Sequence, residues 1–233
     1  MTSPHFSTAL IVGAGSGLSA ALARALAADG IKVALAARSI DDLQPLAREI
    51  DAQLFACDAS ARTSVDKLFG ELDARFGPLD IAVYNPSFRT RGAFVELDPA
   101  DVEKALAVSA YGGFLVGQQA ARRMLPKNHG AILFTGASAS VKGYAQSAPF
   151  AMGKFALRGL AQSMARELGP SGIHVAHVVV DGGIRSARRP EPADKSDSLL
   201  DPEAIAATYL HLIRQPRSAW AWEIELRPWV ERF

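Results

Sequence analysis

Short apolar runs alternate with segments of helical period along most of this chain. Ala9-Leu10-Ile11-Val12 is apolar throughout and stops at a glycine, the pattern of a strand buried on both faces of a parallel sheet. Ser19 to Ala28 follows with Leu22 and Leu26 on one face, which predicts a helix. The alternation then repeats, with strands predicted over 31–37, 53–57, 80–84, 131–135, 173–180 and 220–227. Helices are predicted over 41–50, 60–76, 99–125 and 149–168, and a last one opens at Asp201-Pro202, with Asp201 as cap and Pro202 in the first helical position. Regular βα alternation predicts an α/β fold, one doubly wound parallel sheet of about seven strands with helices on both faces. No internal repeat or linker interrupts it, so residues 1–233 read as a single domain. Residues 185–200 are polar and proline-bearing, follow the sixth strand, and are expected to form a mobile substrate loop over a cleft.

Composition narrows the function classes. Hydrophobic residues make up 49% of the 233 residues, enough for a sizeable core, and the formal net charge is only +1. Basic residues are interspersed with acidic ones, so no nucleic-acid footprint is expected. The short cluster Arg185, Arg188, Arg189 is followed by Glu191, Asp194 and Asp197 and reads as a solvated loop. Cys57, the only cysteine, ends a predicted strand and reads as packing. No signal-like segment precedes the first apolar run, and runs such as Val175 to Val180 are too short to span a bilayer, so a soluble cytoplasmic protein without membrane contact is expected. His174 and His177 would point to opposite faces of a strand and cannot share a metal, and no metal site is expected. Trp220, Trp222 and Trp229 read as core or subunit interface.

The chemistry begins at Val12-Gly13-Ala14-Gly15-Ser16-Gly17-Leu18. Glycines where a strand turns into a helix let the backbone approach a pyrophosphate, and the helix's free N–H groups then face the anion. The context of strand before and helix after makes this a dinucleotide cradle of Rossmann type. Position 18 is Leu, so Gly-x-Gly-x-x-Gly fails at its last place; Gly13, Gly17 and Ser19 fit Gly-x-x-x-Gly-x-Gly with a serine at the end. After the second strand comes Ala36-Ala37-Arg38-Ser39, with no acid before Asp41. An acid there would bind a ribose 2′-hydroxyl, whereas the Arg38 fork suits a 2′-phosphate, so NADP is favoured over NAD. The plainer reading of Arg38 is a surface charge.

With these residues the chain resembles the short-chain dehydrogenase/reductase family, and the likeness runs from Ala9 to Leu226. Gly13, Gly17 and Ser19 match its glycine loop, and Asp58 matches the acid that touches adenine. Asn85 is what remains of an Asn-Asn-Ala-Gly segment, Lys154 matches the family lysine, and Asp181-Gly182-Gly183-Ile184 resembles the Pro-Gly-x-Ile segment that lines the nicotinamide. The resemblance implies an NAD(P)-dependent oxidoreductase acting on a small carbonyl, alcohol or enoyl substrate. It also implies a homodimer or homotetramer. The family's catalytic Asn, Ser, Tyr and Lys are only partly kept. The Asn position falls on Ser109 and the Tyr position on Phe150. Counting back from Phe150 places the Ser position on Ala137, with Ser138 one step off and Ser140 a weaker substitute.

In the family scheme the tyrosine gives a proton to the carbonyl oxygen while the lysine holds the ribose and lowers the tyrosine's pKa. Phe150 has no proton to give, and losing a positioned general acid costs about 10²- to 10⁴-fold. The sequence offers three substitutes: Tyr144 from the preceding loop, a water held by Lys154 and Ser138, or a substrate such as a conjugated double bond whose enolate needs only hydrogen bonds. The alternative is a catalytically silent nucleotide-binding protein, a sensor or non-catalytic subunit.

Overall fold

Parallel hydrogen bonding joins the apolar runs into one sheet. The computed structural model describes residues 5–230. Among them the strands are β1 (Thr8–Val12), β2 (Lys32–Ala37), β3 (Gln53–Ala56), β4 (Ile81–Tyr84), β5 (Gly130–Thr135), β6 (Ile173–Val180) and β7 (Glu223–Leu226). They lie in the order β3-β2-β1-β4-β5-β6-β7, and every pairing is parallel. The helices are α1 (Leu18–Ala28), α2 (Gln44–Glu49), α3 (Arg62–Arg75), α4 (Pro99–Leu106), α5 (Gly112–Met124), α6 (Ala148–Leu168) and α7 (Pro202–Ile213).

The unbroken apolarity of the strands follows from burial on both sides. In β1, Ala9 and Ile11 join a core shared with α1 and α7, while Leu10 and Val12 join one shared with α3, α5 and α6. Successive side chains point to opposite faces, so both parities must be apolar. The result is the α/β doubly wound domain of Rossmann type that the alternation predicts. The start of α7 is also as read: Pro202 opens the helix, and Asp201 Oδ1 accepts from the Glu203 N–H at 2.9 Å.

The structure corrects several boundaries. The helix predicted over 99–125 is two helices separated by a π-helical turn, Ala107–Tyr111. Inside that turn the Val108 carbonyl accepts from the buried Tyr84 hydroxyl. Sequence periodicity does not register such a turn, because its cause lies on another strand. The helix predicted over 41–50 opens as a 3₁₀ turn, and only Gln44–Glu49 is α-helical. Trp220 stacks on His174 with ring centroids 4.8 Å apart, and Trp222 lies under Arg158, but Trp229 is 80% exposed and belongs to no core. Residues 185–200 form no helix or strand beyond two isolated bridges, Ile184 with Leu200 and Ser186 with Arg189. Arg185 pairs with Asp201 at 2.8 Å rather than with the nearer acids of its own loop. No helix among the described residues is long and apolar enough to cross a membrane.

The π turn brings Gly112 against the strand layer. A Cβ there would collide with the Tyr84 hydroxyl and lie 2.5 Å from the Ala59 carbonyl oxygen. Gly112→Ala is therefore expected to destabilise the fold by about 1–3 kcal/mol, read as a lower urea midpoint at unchanged m-value.

Candidate active site

The sheet reverses its winding between β1 and β4, and such a sheet opens a crevice beyond the carboxyl ends of those strands. Val12 pairs with Tyr84, so the loops leaving at Gly13 and Asn85 start side by side. Gly13 has φ +81°, and a Cβ on it would sit 2.6 Å from the Pro86 nitrogen. Only glycine fits there. Ser19 then bolts the two loops together: its hydroxyl donates to the Gly13 carbonyl at 3.1 Å and accepts from Asn85 Nδ2 at 2.7 Å. The serine at the last glycine-loop position thus has a structural reason.

The other glycines leave space. A Cβ on Gly15 or Gly17 would meet nothing within 4 Å. Gly17 caps α1 without a side chain, and no acid stands in the first turn. By contrast Asp98 and Asp201 cap α4 and α7. The start of α1 therefore keeps free N–H groups and the positive end of a helix dipole beside an open cradle, which fits a pyrophosphate. A cavity of about 750 Å³ continues from Gly13 past Arg38, Ser39, Asp58 and Asn85 to Lys104. Asp58 accepts from the Ser60 hydroxyl at 2.7 Å and the Ser60 N–H at 3.0 Å; these bonds, with Arg38 and Lys104 nearby, hold its carboxyl below the usual range. A smaller cavity of about 260 Å³ joins Gly13, Gly15, Gly17 and Leu18 to Ile184 and Arg185. Ser16 is exposed at the edge of the glycine turn. Gly182 lines neither cavity; at φ +155° it packs against Pro228.

Lys154 and Phe150 stand near the start of α6. Lys154 is 2% exposed, and its Nζ donates to the Thr135 carbonyl at 2.8 Å. Burial pushes its pKa down to about 8. Nζ lies 6.0 Å from the centroid of the Phe150 ring, and the Arg89 guanidinium carbon lies 5.1 Å from the same centroid. Gly153 lets α6 meet the π turn, since a Cβ on it would be 2.8 Å from Ser109 Cβ. Ser109 Oγ is buried without a hydrogen-bond partner.

Comparison with known proteins agrees with this geometry. Residues 7–194 match the short chain dehydrogenase family. The chain belongs to that family. A short-chain dehydrogenase from Rhodopseudomonas palustris superposes with a TM-score of 0.83 at 34% identity, covering 97% of this chain and 100% of that one. A metagenomic short-chain oxidoreductase in complex with NADP gives 0.84 at 27% identity, covering 97% and 99%. An uncharacterised oxidoreductase of Staphylococcus aureus is 27% identical over 226 residues, 94% of this chain and 96% of its own length.

In this short-chain dehydrogenase the region around Phe150 holds groups that the sequence does not connect. Ser138 stands beyond β5, and the buried Asp181 follows the end of β6. Burial acts to raise the Asp181 pKa, but Ser138 and Lys142 bonds and the Lys142 and Arg227 charges hold it below the usual range. Lys142 Nζ lies 3.1 Å from Asp181 Oδ2. Tyr144 is 48% exposed in the turn before α6, and none of its described contacts joins it to Lys154. The loop from β4 and this turn are tied, Gly92 N–H donating to the Gln146 carbonyl at 3.3 Å.

Ser140 belongs elsewhere. Its hydroxyl accepts from the Ala137 N–H and lies 3.3 Å from His177 Nε2, while His177 Nδ1 lies 3.0 Å from Glu223 Oε2. Arg158 grips Glu223 at 2.6 and 2.7 Å. The order Ser, His, acid is that of a hydrolase, but Ser140 and His177 are fully buried and meet no substrate. The chain of bonds is a strut that fixes the β5 loop, and with it Ser138, against β6 and β7. Among the described residues, no three His, Cys, Asp or Glu side chains gather as metal ligands.

Burial drives the His177 pKa down to about 4 from 6.5, outweighing Glu223, so His177 is neutral in the native state. The unfolded chain takes up that proton at higher pH than the folded protein does. Stability should fall by on the order of 3 kcal/mol as pH drops from about 6.5 to about 4, a loss that His177→Gln removes. Urea titrations across that range would refute the assignment if the slope persisted in the variant.

Proposed function

We propose that this short-chain dehydrogenase is an NADP-dependent oxidoreductase that reduces or forms a small carbonyl, alcohol or enoyl compound in a site rebuilt without the tyrosine. The observation that carries this is the uncapped start of α1 beside an open cradle, together with a desolvated Lys154 ammonium held at the end of β5 by the Thr135 carbonyl. NADP, when bound, supplies the hydride chemistry. The α1 N–H groups over Gly15 and Gly17 take its pyrophosphate. Arg38 and Ser39 take the 2′-phosphate, with Lys104 adding positive charge to the same cavity. The metagenomic relative in complex with NADP supports that choice of cofactor.

Lys154 spends one donor on Thr135 and keeps others for the ribose and the reacting oxygen. A pKa of about 8 places its ammonium near the operating range of a general acid. In reduction a proton leaves Nζ for the substrate oxygen through a water that the Ser138 lone pairs help to hold. Lys154 suits this role better than Tyr144, whose ring stands in solvent. Exposed Tyr111, Phe114, Met152 and Phe155 on α5, α6 and the π turn support pairing with a second copy. One observation favours the silent reading, the Phe150 ring itself, and Phe150→Tyr separates the two: a rise from no turnover to turnover means the rest of the site was kept for binding alone.

NADPH oxidation across a carbonyl and enone panel should be detectable. It should fall about 10²- to 10⁴-fold in Lys154→Ala, and in the wild type it should decline as pH rises through about 8, because the ammonium is then lost. Arg38→Ala should cut the preference for NADPH over NADH about tenfold or more, measured as a ratio of kcat/KM values. Cofactor binding without turnover on any substrate would support the silent alternative.

A further inference from the structure

We propose that the substrate end of the crevice is an anion site, in which Arg89, seated on the Phe150 ring, binds the carboxylate of the substrate and Arg189 reaches the same charge from the opposite loop. This rests on the oxidoreductase reading, since it names the class of molecule that site accepts.

The argument starts from the ring. A guanidinium within about 6 Å of an aromatic centroid is held by the ring's quadrupole, and stacking leaves its N–H edge free for a planar oxyanion. Arg89 meets that condition on Phe150, 5.1 Å from the centroid, and Lys154 approaches the same ring. The residue that loses the family's hydroxyl thus gains a platform for a cation. The backbone under Arg89 is anchored: neighbouring Thr90 donates to Asp101 at 3.1 Å, and Gly92 is bonded to Gln146.

Charge supplies the second observation. Burial first, then the positive charges of Arg91 and Arg189, push the Arg89 guanidinium below its ordinary value, and no acid offsets them. Arg24, Arg123, Arg158, Arg185 and Arg214 each have a carboxylate partner; among the described residues Arg89, Arg91 and Arg189 have none, a state they share with Arg38, Arg48, Arg122, Arg166, Arg188 and Arg217, and what sets Arg89 apart is its seat on an aromatic ring. Arg189 is also placed. Its backbone exchanges bonds of 3.0 Å with Ser186, and its Nη1 lies where a Cβ on Gly183 would be only 2.8 Å away. Arg189 therefore acts on Arg89 as a like charge from a second loop, both side chains are exposed, and a bound anion would offset that repulsion. Arg189 remains solvent-exposed, as its polar loop predicts, with its side chain lying over Gly183.

The test is calorimetry on the protein saturated with NADP+, so that cofactor phosphates already occupy their own cations. The probes are matched pairs, benzoate with benzamide and levulinate with methyl levulinate. In at least one pair the carboxylate should bind about tenfold or more tighter than its neutral partner, with the preference shrinking as salt rises. Arg89→Gln should erase that preference, Arg189→Gln should reduce it several-fold, and Arg188→Gln should leave it unchanged. Equal binding within both pairs, no saturable heat from either carboxylate at about 10 mM, or a preference that survives Arg89→Gln would each overturn the proposal. Absence of heat from NADP+ in the first titration would instead sink the cofactor reading, so the two failures are separable.

Discussion

The crevice depends on how closely two loops approach where β1 and β4 part company. Gly13 and Pro86 stand so near that no side chain fits between them. That contact, locked by the Gly13–Ser19–Asn85 hydrogen bonds, sets where α1 begins and which way its free N–H groups face. The loops bearing Arg38 and Asp58 leave the neighbouring strands β2 and β3 and are referenced to the same edge. A shift of the β1–β4 pairing by one residue would exchange the inward and outward faces of strands that are buried on both sides, and the two cores would have to repack.

The Phe150 ring gives this region an apolar π surface with no proton to lend. A buried tyrosine hydroxyl would give the Lys154 ammonium a polar neighbour. With Phe150 there, desolvation acts on the lysine largely unopposed, which is why its pKa falls toward neutrality. The same ring offers its face to Arg89. Both the lysine and the arginine thus meet the same apolar ring.

Around this centre the protein retains buried polar groups and satisfies most of them. Ser140, His177, Glu223 and Arg158 form one continuous line of bonds, and Asp181 is surrounded by Ser138, Lys142 and Arg227. Unpaired, each group would cost a few kcal/mol; paired, they hold loops that carry no regular structure. Ser109 is the exception, its hydroxyl buried and unbonded beside the π turn. Gly153 of α6 packs against it there.

The doubly wound sheet and the glycine turn between β1 and α1 were legible in the sequence. Each rests on local signals: strand period, helix caps and residue types at fixed spacing survive without knowledge of neighbours. What remained hidden depends on approach between distant segments. The break in the helix predicted over 99–125 comes from a tyrosine on β4, and the Ser140–His177–Glu223 line spans three elements. Arg89 and Arg189 are far apart along the chain, and only folding sets one on the Phe150 ring and the other beside Gly183. Sequence alone determined which backbone would form and where its glycine turn lies, because those follow from nearest-neighbour sterics and burial. The tertiary structure alone decided the electrostatics of the pocket, because a charge's meaning depends on what solvent and partners the fold leaves around it.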